Sequence, residues 1–268
     1  CLLYEYLPLS GYYVDQYHGD AGAVPYQGLI DYVNQRGGLT FWAHPEAEYI
    51  TESSGIKIET GEHSRHILDT AGYTGFCAFY EGYKRVACPE GLWDKVLVEY
   101  CRHERQNPVW AAAGIAAEGS QLQERLRRVR TFCLAENITE SAVLDSLRRG
   151  RFFISSGSGE VGFNLLEFSV SDTNGSGKVT MGESVRIEGK PLIMIKGNFT
   201  EDIKQSASDT VVTLIRDGHI VKRFESGNFI DIVWKDDFYS SGIKSYYRLE
   251  IRHPRRTVLL NPVFLEHI

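Results

Sequence analysis

The chain lacks the features that would place it quickly. None of its 268 residues belong to an apolar run near the roughly 20 residues that a bilayer-spanning helix needs, so no membrane span is expected. Cysteine is sparse: Cys1, Cys77, Cys88, Cys101 and Cys133 make an odd number, with no C-x-x-C pair. That argues against a disulfide framework and against a structural zinc site, and Cys77 and Cys133 read as buried free thiols in apolar stretches. Basic charge is short as well. The formal net charge of -6 has the wrong sign for a phosphate backbone, so nucleic acid is not expected as a partner. The basic runs "RHERQ" and "ERLRRVR" read as solvated faces, the second with its charges spread around Leu126 and Val129. No signal peptide opens the chain, which reads as starting inside a domain. Ser156 has no identifiable His and Asp partners for a nucleophilic triad. "SSGSG" at 155–159 has neither the Lys nor the following helix of a phosphate loop, and reads as an interdomain turn.

What remains is an ordinary globular composition, 43% hydrophobic and 24% charged, divided into two textures. Up to about residue 150, strand-like runs alternate with helical ones. "YQGLIDYVNQRGG" carries Leu29, Ile30 and Val33 at helical spacing. "GGLTFWAHPEAEY", "TGFCAFYEGY" and "PVWAAAGIAAEG" read as strands. "EHSRHILDTAG" and "GLWDKVLVEYCRHER" read as helices between them. A further helix opens on Thr139 as N-cap and stops at Gly150. Such alternation predicts α/β structure with parallel strands and a site at their C-terminal ends. Beyond about residue 160 come seven short alternating runs with no helix between them, including the hairpin pair Asp217-Gly218. These predict a β-sandwich of immunoglobulin-like type, with the boundary in "SSGSGE".

His44, Glu81 and Glu118 fall at or just past the ends of predicted strands, and such ends converge on one mouth in a parallel α/β domain. A histidine among carboxylates suits a hard or borderline metal ion. His18 and Asp20 in "YHGDAG" stand ready to join them from the preceding loop. His63 and His66 are spaced to face one point from a helix, a pattern common on surfaces.

"GGLTFWAHPEAE", "GFCAFYEGY", "WDKVLVEYCRHERQNPVWAAAGIAAEG" and "LRRGRFFISSGSG", in that order, resemble the second half of a PHP (polymerase and histidinol phosphatase) domain. The tail "YYRLEIRHPRRTVLLNPVFL" is similar to the last strands of the sandwich that follows that domain in a phosphoesterase branch of the family. The resemblance implies an α/β fold, a distorted (β/α)7-type barrel that is partial in this chain over 1–157, followed by an all-β immunoglobulin-like sandwich over 158–268. It implies zinc, manganese or iron ions that activate water against a phosphate ester in a small-molecule substrate. Only His44 matches a family ligand cleanly. No H-x-H occurs, and Ile115, Ala116, Ala117 and Glu118 stand where the family has a late Asp and His. Three uses of the chain follow as expectations: a metal-dependent hydrolase, a degenerate barrel kept as a binding scaffold, or a carbohydrate- or surface-binding module working through the sandwich.

Overall fold

The computed structural model describes residues 24–43, 45, 49–53, 56–60, 64–79, 85–115, 122–158, 161–175, 177–200, 209–240 and 244–266. The first elements follow the sequence pattern. Helix α1 (Val24–Asn34) precedes the short strand β1 (Phe41–Trp42). A hairpin follows, β2 (Tyr49–Ser53) and β3 (Ile56–Thr60), and then helix α2 (Ser64–Asp69). Strand β4 (Gly75–Phe79), helix α3 (Leu92–Cys101) and strand β5 (Trp110–Ala113) complete a three-stranded parallel sheet in the order β1-β4-β5. In α3 the apolar residues Trp93, Val96, Leu97 and Cys101 are all buried, the 3–4 residue recurrence of a single buried helix face.

Helix α4 (Leu122–Arg128) runs straight into strand β6 (Val129–Cys133). Helix α5 (Glu140–Arg149) follows, and its ends are chemically fixed. The Thr139 side chain accepts from the Ala142 N–H, and Gly150 closes the helix at φ 71°. A Cβ at Gly150 would meet the Trp110 ring at 2.5 Å, so both the conformation and the packing demand glycine there.

Here the expected barrel fails. Strand β7 (Phe152–Gly157) does not add to the parallel sheet; it pairs antiparallel with β6 and with the final strand β16 (Arg256–Glu266). Among the described residues the parallel part therefore ends at three strands in an open sheet, and the larger share is antiparallel. An apolar run announces a strand but not its direction, and that direction is what the barrel reading supplied wrongly.

The remaining strands are β8 (Phe163–Asp172), β9 (Lys178–Val179), β10 (Ser184–Arg186), β11 (Pro191–Phe199), β12 (Thr210–Arg216), β13 (His219–Ser226), β14 (Phe229–Lys235) and β15 (Ser245–His253). One sheet runs β13-β12-β15-β16-β7-β6, with β10 added in parallel to β16; the other runs β14-β11-β8-β9. The immunoglobulin-like expectation is corrected with the barrel. The larger sheet takes in β6 and β7 from before the expected boundary and is covered on both faces, where a free-standing sandwich covers one.

That larger sheet is a middle layer. One face packs Val212, Leu214, Leu249, Ile251, Val258 and Leu260 against Phe168, Val170, Ile193 and Ile195 of the four-stranded sheet. Its opposite face packs Ile154, Tyr246, Leu259 and Phe264 against Phe76, Trp93, Val96, Leu97 and Trp110 of the parallel layer. A strand covered on both faces has no reason to alternate in polarity. Accordingly, β15 is buried at every position except Arg252, and β16 is buried almost throughout.

Candidate functional site

β1, β4 and β5 are adjacent and parallel, so the chain leaves Trp42, Phe79 and Ala113 at the same edge. The residues expected to act there, His44, Glu81, Glu118, His18 and Asp20, all lie outside the described residues, as does His63. Of the histidine pair only His66 is described. It is buried on α2, its ring 5.0 Å from that of Tyr26. Among the described residues no group of three or more His, Cys, Asp or Glu could hold a metal ion. Cys77, on β4, is held by burial at a pKa of about 11, so its thiol is not a nucleophile at neutral pH.

The densest polar chemistry lies elsewhere, between α3 and the middle sheet. Arg248 of β15 is fully enclosed, and its Nε and Nη2 donate to Asp94 at 2.6 Å each, a bidentate pair. The Tyr246 hydroxyl donates to the same carboxylate at 2.7 Å, as does the Glu90 N–H at 2.8 Å. Trp93 lies against the guanidinium, 4.7 Å from ring centroid to Cζ. Burial works against the arginine's charge, but Asp94 outweighs it and its pKa stands above the ordinary range. Next to this pair the tip of the β12–β13 hairpin docks on the turn that leads into α3: the Gly218 carbonyl accepts from the Glu90 N–H, and His219 Nδ1 lies 2.7 Å from Glu90. Ser245 and the Tyr246 N–H both donate to Asp217, yet burial leaves that carboxyl above its usual pKa. Apart from Arg248 Nη1, which is buried without a partner, the cluster's groups are directed at one another, and it joins the layers.

Arg256 offers a different pattern. Its Nη1 donates to Ser155 Oγ at 2.8 Å, while Nε and Nη2 find no partner and are closed from solvent. Burial first, then neighbouring Arg130, depress its pKa. Those two nitrogens would suit an anion, but no anion reaches them unless the surrounding chain moves.

An open apolar patch of the described surface lies on the four-stranded sheet. Its outward face carries Leu192, Met194, Lys196 and Asn198 of β11 beside Phe229, Asp231, Val233 and Lys235 of β14, paired as Leu192–Lys235, Met194–Val233, Lys196–Asp231 and Asn198–Phe229. Phe229 is 68% exposed, Val233 59%, and Leu166, at the bulge of β8, 72%. β14 is also the last strand on its side of the sheet among the described residues. At one of its ends the Phe199 N–H donates to the Asn228 carbonyl, and at the other the Asp236 N–H donates to the Pro191 carbonyl. Antiparallel pairing alternates, so residues 228, 230, 232, 234 and 236 face β11. The N–H and C=O groups of Asp231, Val233 and Lys235 therefore turn to the open edge. Apolar side chains beside unpaired backbone are the physical description of a docking edge. The sequence run "NFIDIVWKDD" showed the strand; its place at the sheet's margin depends on β11 and β8 and could not be read from the run itself.

Comparison with protein-family models, with curated proteins and with solved structures finds no match to this chain. The PHP resemblance is corrected on three grounds: no family model matches, the architecture is mainly antiparallel β, and no metal-ligand group occurs among the described residues.

Proposed function

We propose that the protein is a binding module whose working surface is the outward face and free edge of the four-stranded sheet, and that it takes there an extended protein segment. One observation carries the reading: Phe229, Asp231, Val233 and Lys235 stand exposed along an edge where, among the described residues, no strand pairs with the outward backbone groups of Asp231, Val233 and Lys235. An extended segment adds to such an edge through main-chain hydrogen bonds, while alternate side chains choose the partner. The layer behind the edge is rigidly supported, since Ile193, Ile195, Ile230 and Phe168 pack into the sandwich core. Hydrolysis of a phosphate ester by a divalent ion at the ends of β1, β4 and β5 is a different use of the chain. It rests on the sequence positions of His44, Glu81 and Glu118 alone.

Arrays of extended peptides and of glycans, probed with the wild-type chain and with Phe229→Ala and Val233→Asp, test the proposal. Peptide capture lost in Val233→Asp supports it. Glycan capture that depends on Phe229 would replace the protein segment by a sugar. Turnover of a generic phosphodiester that disappears in His44→Ala would overturn a purely binding role.

A further inference from the structure

We infer that the segment taken at this edge is β14 of a second copy of the chain, paired antiparallel about a twofold axis at Val233. The inference rests on the docking surface proposed above and adds its occupant and register. Three observations carry it.

The first is backbone geometry. Phe229, Asp231, Val233 and Lys235 are the edge-facing residues, so a second β14 can join only in registers that oppose these residues to one another. The second is charge order. Centred on Val233, the pairing sets Val233 against its own copy and Asp231 against Lys235 of the second copy, twice by symmetry. Centred on Asp231, it sets two aspartates together. Centred on Ile232, it sets Asp231 against Val233 of the second copy. Only the first register matches charge with opposite charge and apolar with apolar around the axis. Asp231 and Lys235 now pair with Lys196 at 3.4 Å and Asp237 at 2.7 Å, in exposed contacts that contribute little and remain in place in the pairing. The result is an alternating row of Lys196, Asp231, then Lys235 and Asp237 of the second copy.

The third observation is on the inward face. Ile232 and Trp234 are only half-buried although they pack against the sandwich core, and Trp234 meets Phe224 of β13 edge to face at 6.4 Å. In the same register each Ile232 lies opposite Trp234 of the second copy. The pairing thus completes the burial of two residues that the single chain leaves at an open seam. A twofold contact of this kind is self-complementary and closes, so it gives a dimer and not a fibre.

Sedimentation equilibrium over a wide concentration range tests the inference. The wild-type chain is expected to dimerise reversibly. Asp231→Lys and Lys235→Asp each turn two attractive cross-strand pairs into repulsive ones, and each is expected to weaken dimerisation by about tenfold. The double variant Asp231→Lys with Lys235→Asp restores it. Val233→Pro removes an N–H that the single chain does not use, so it is expected to give a monomer with native circular dichroism and an unchanged melting temperature. A wild-type chain that stays monomeric, a dimer indifferent to Val233→Pro, or a double variant no better than its parents would each overturn the inference. A monomer that still captures array peptides through Val233 would remove the second copy as occupant and leave the docking surface standing.

Discussion

Arg248 and Asp94 show what a single residue contributes here. The guanidinium lies fully enclosed, and its charge is tolerated only because the carboxylate meets it in a fork. Removing one partner leaves the other charged and buried. Arg248→Met is expected to cost about 3–5 kcal/mol, read as a lower urea midpoint at unchanged slope. Replacing both, as Asp94→Leu with Arg248→Met, is expected to recover only part of that loss, because the buried Tyr246 hydroxyl then has no acceptor. A single variant as stable as the wild type would remove the pair from the account of what joins the layers. At this scale the sequence was legible wherever the partner is local. Thr139 as a cap, Gly150 as a stop and Asp217-Gly218 as a turn could each be read within a few residues, and both turn residues do adopt positive φ, 50° and 87°. Arg248 could not be read, because its partner lies 154 positions away. In the run "SYYRLEIRH" it looks like the polar member of an alternating strand.

Among elements, what was visible was the existence of each strand and what was hidden was its neighbour. The runs from "FNLLEFSVS" to "TVLLNPVFLEHI" each contain a strand, and the α3 and α5 helices lie where their periodicity puts them. The segment "SSGSGE" read as an interdomain turn, yet Ser155, Ser156 and Gly157 are still in β7 and pair with β16. Serine and glycine signal a turn only when nothing flanks them to complete a ladder. Here β6 and β16 do so, one on each side. The α5 helix is the most local of these elements and its cap can be tested alone. Thr139→Ala removes the acceptor of the Ala142 N–H and is expected to destabilise the protein by about 1 kcal/mol, seen as a drop in Tm. An unchanged Tm would mean that packing of α5 on β6, and not its cap, holds the helix. The candidate strand-end residues were argued from strand direction. The direction of β1, β4 and β5 is as that argument needs, but the barrel that would have surrounded them is replaced by an open sheet.

Across the whole molecule the parallel layer and the sandwich share their joints. Asn261 of β16 is buried and behaves as a piece of backbone: its Oδ1 accepts from the Ala111 N–H at 2.9 Å, and its Nδ2 donates to the Phe152 carbonyl at 2.9 Å. Through it the final strand closes the free side of β5. Asn261→Leu keeps the volume but strands the Ala111 N–H, a loss of about 1–3 kcal/mol expected in the denaturant midpoint. Amide exchange at Ala111 should quicken in the same variant, and protection as in the wild type would show that another group takes over. Phe264 adds to the joint by lying against both Trp110 and Tyr100.

The Asn261 contact also bears on the order in which the chain can fold as it is made. Its two ends are 150 positions apart, so the parallel layer, though synthesised earlier, has an unfinished margin until β16 has left the ribosome. Loop closure over that span is slow, and apolar surface at Trp110, Phe76 and Trp93 stays open in the interval. A chain truncated just before β16 should therefore lose the amino-terminal layer as surely as the sandwich, and emerge as a target for chaperones rather than as a smaller folded protein.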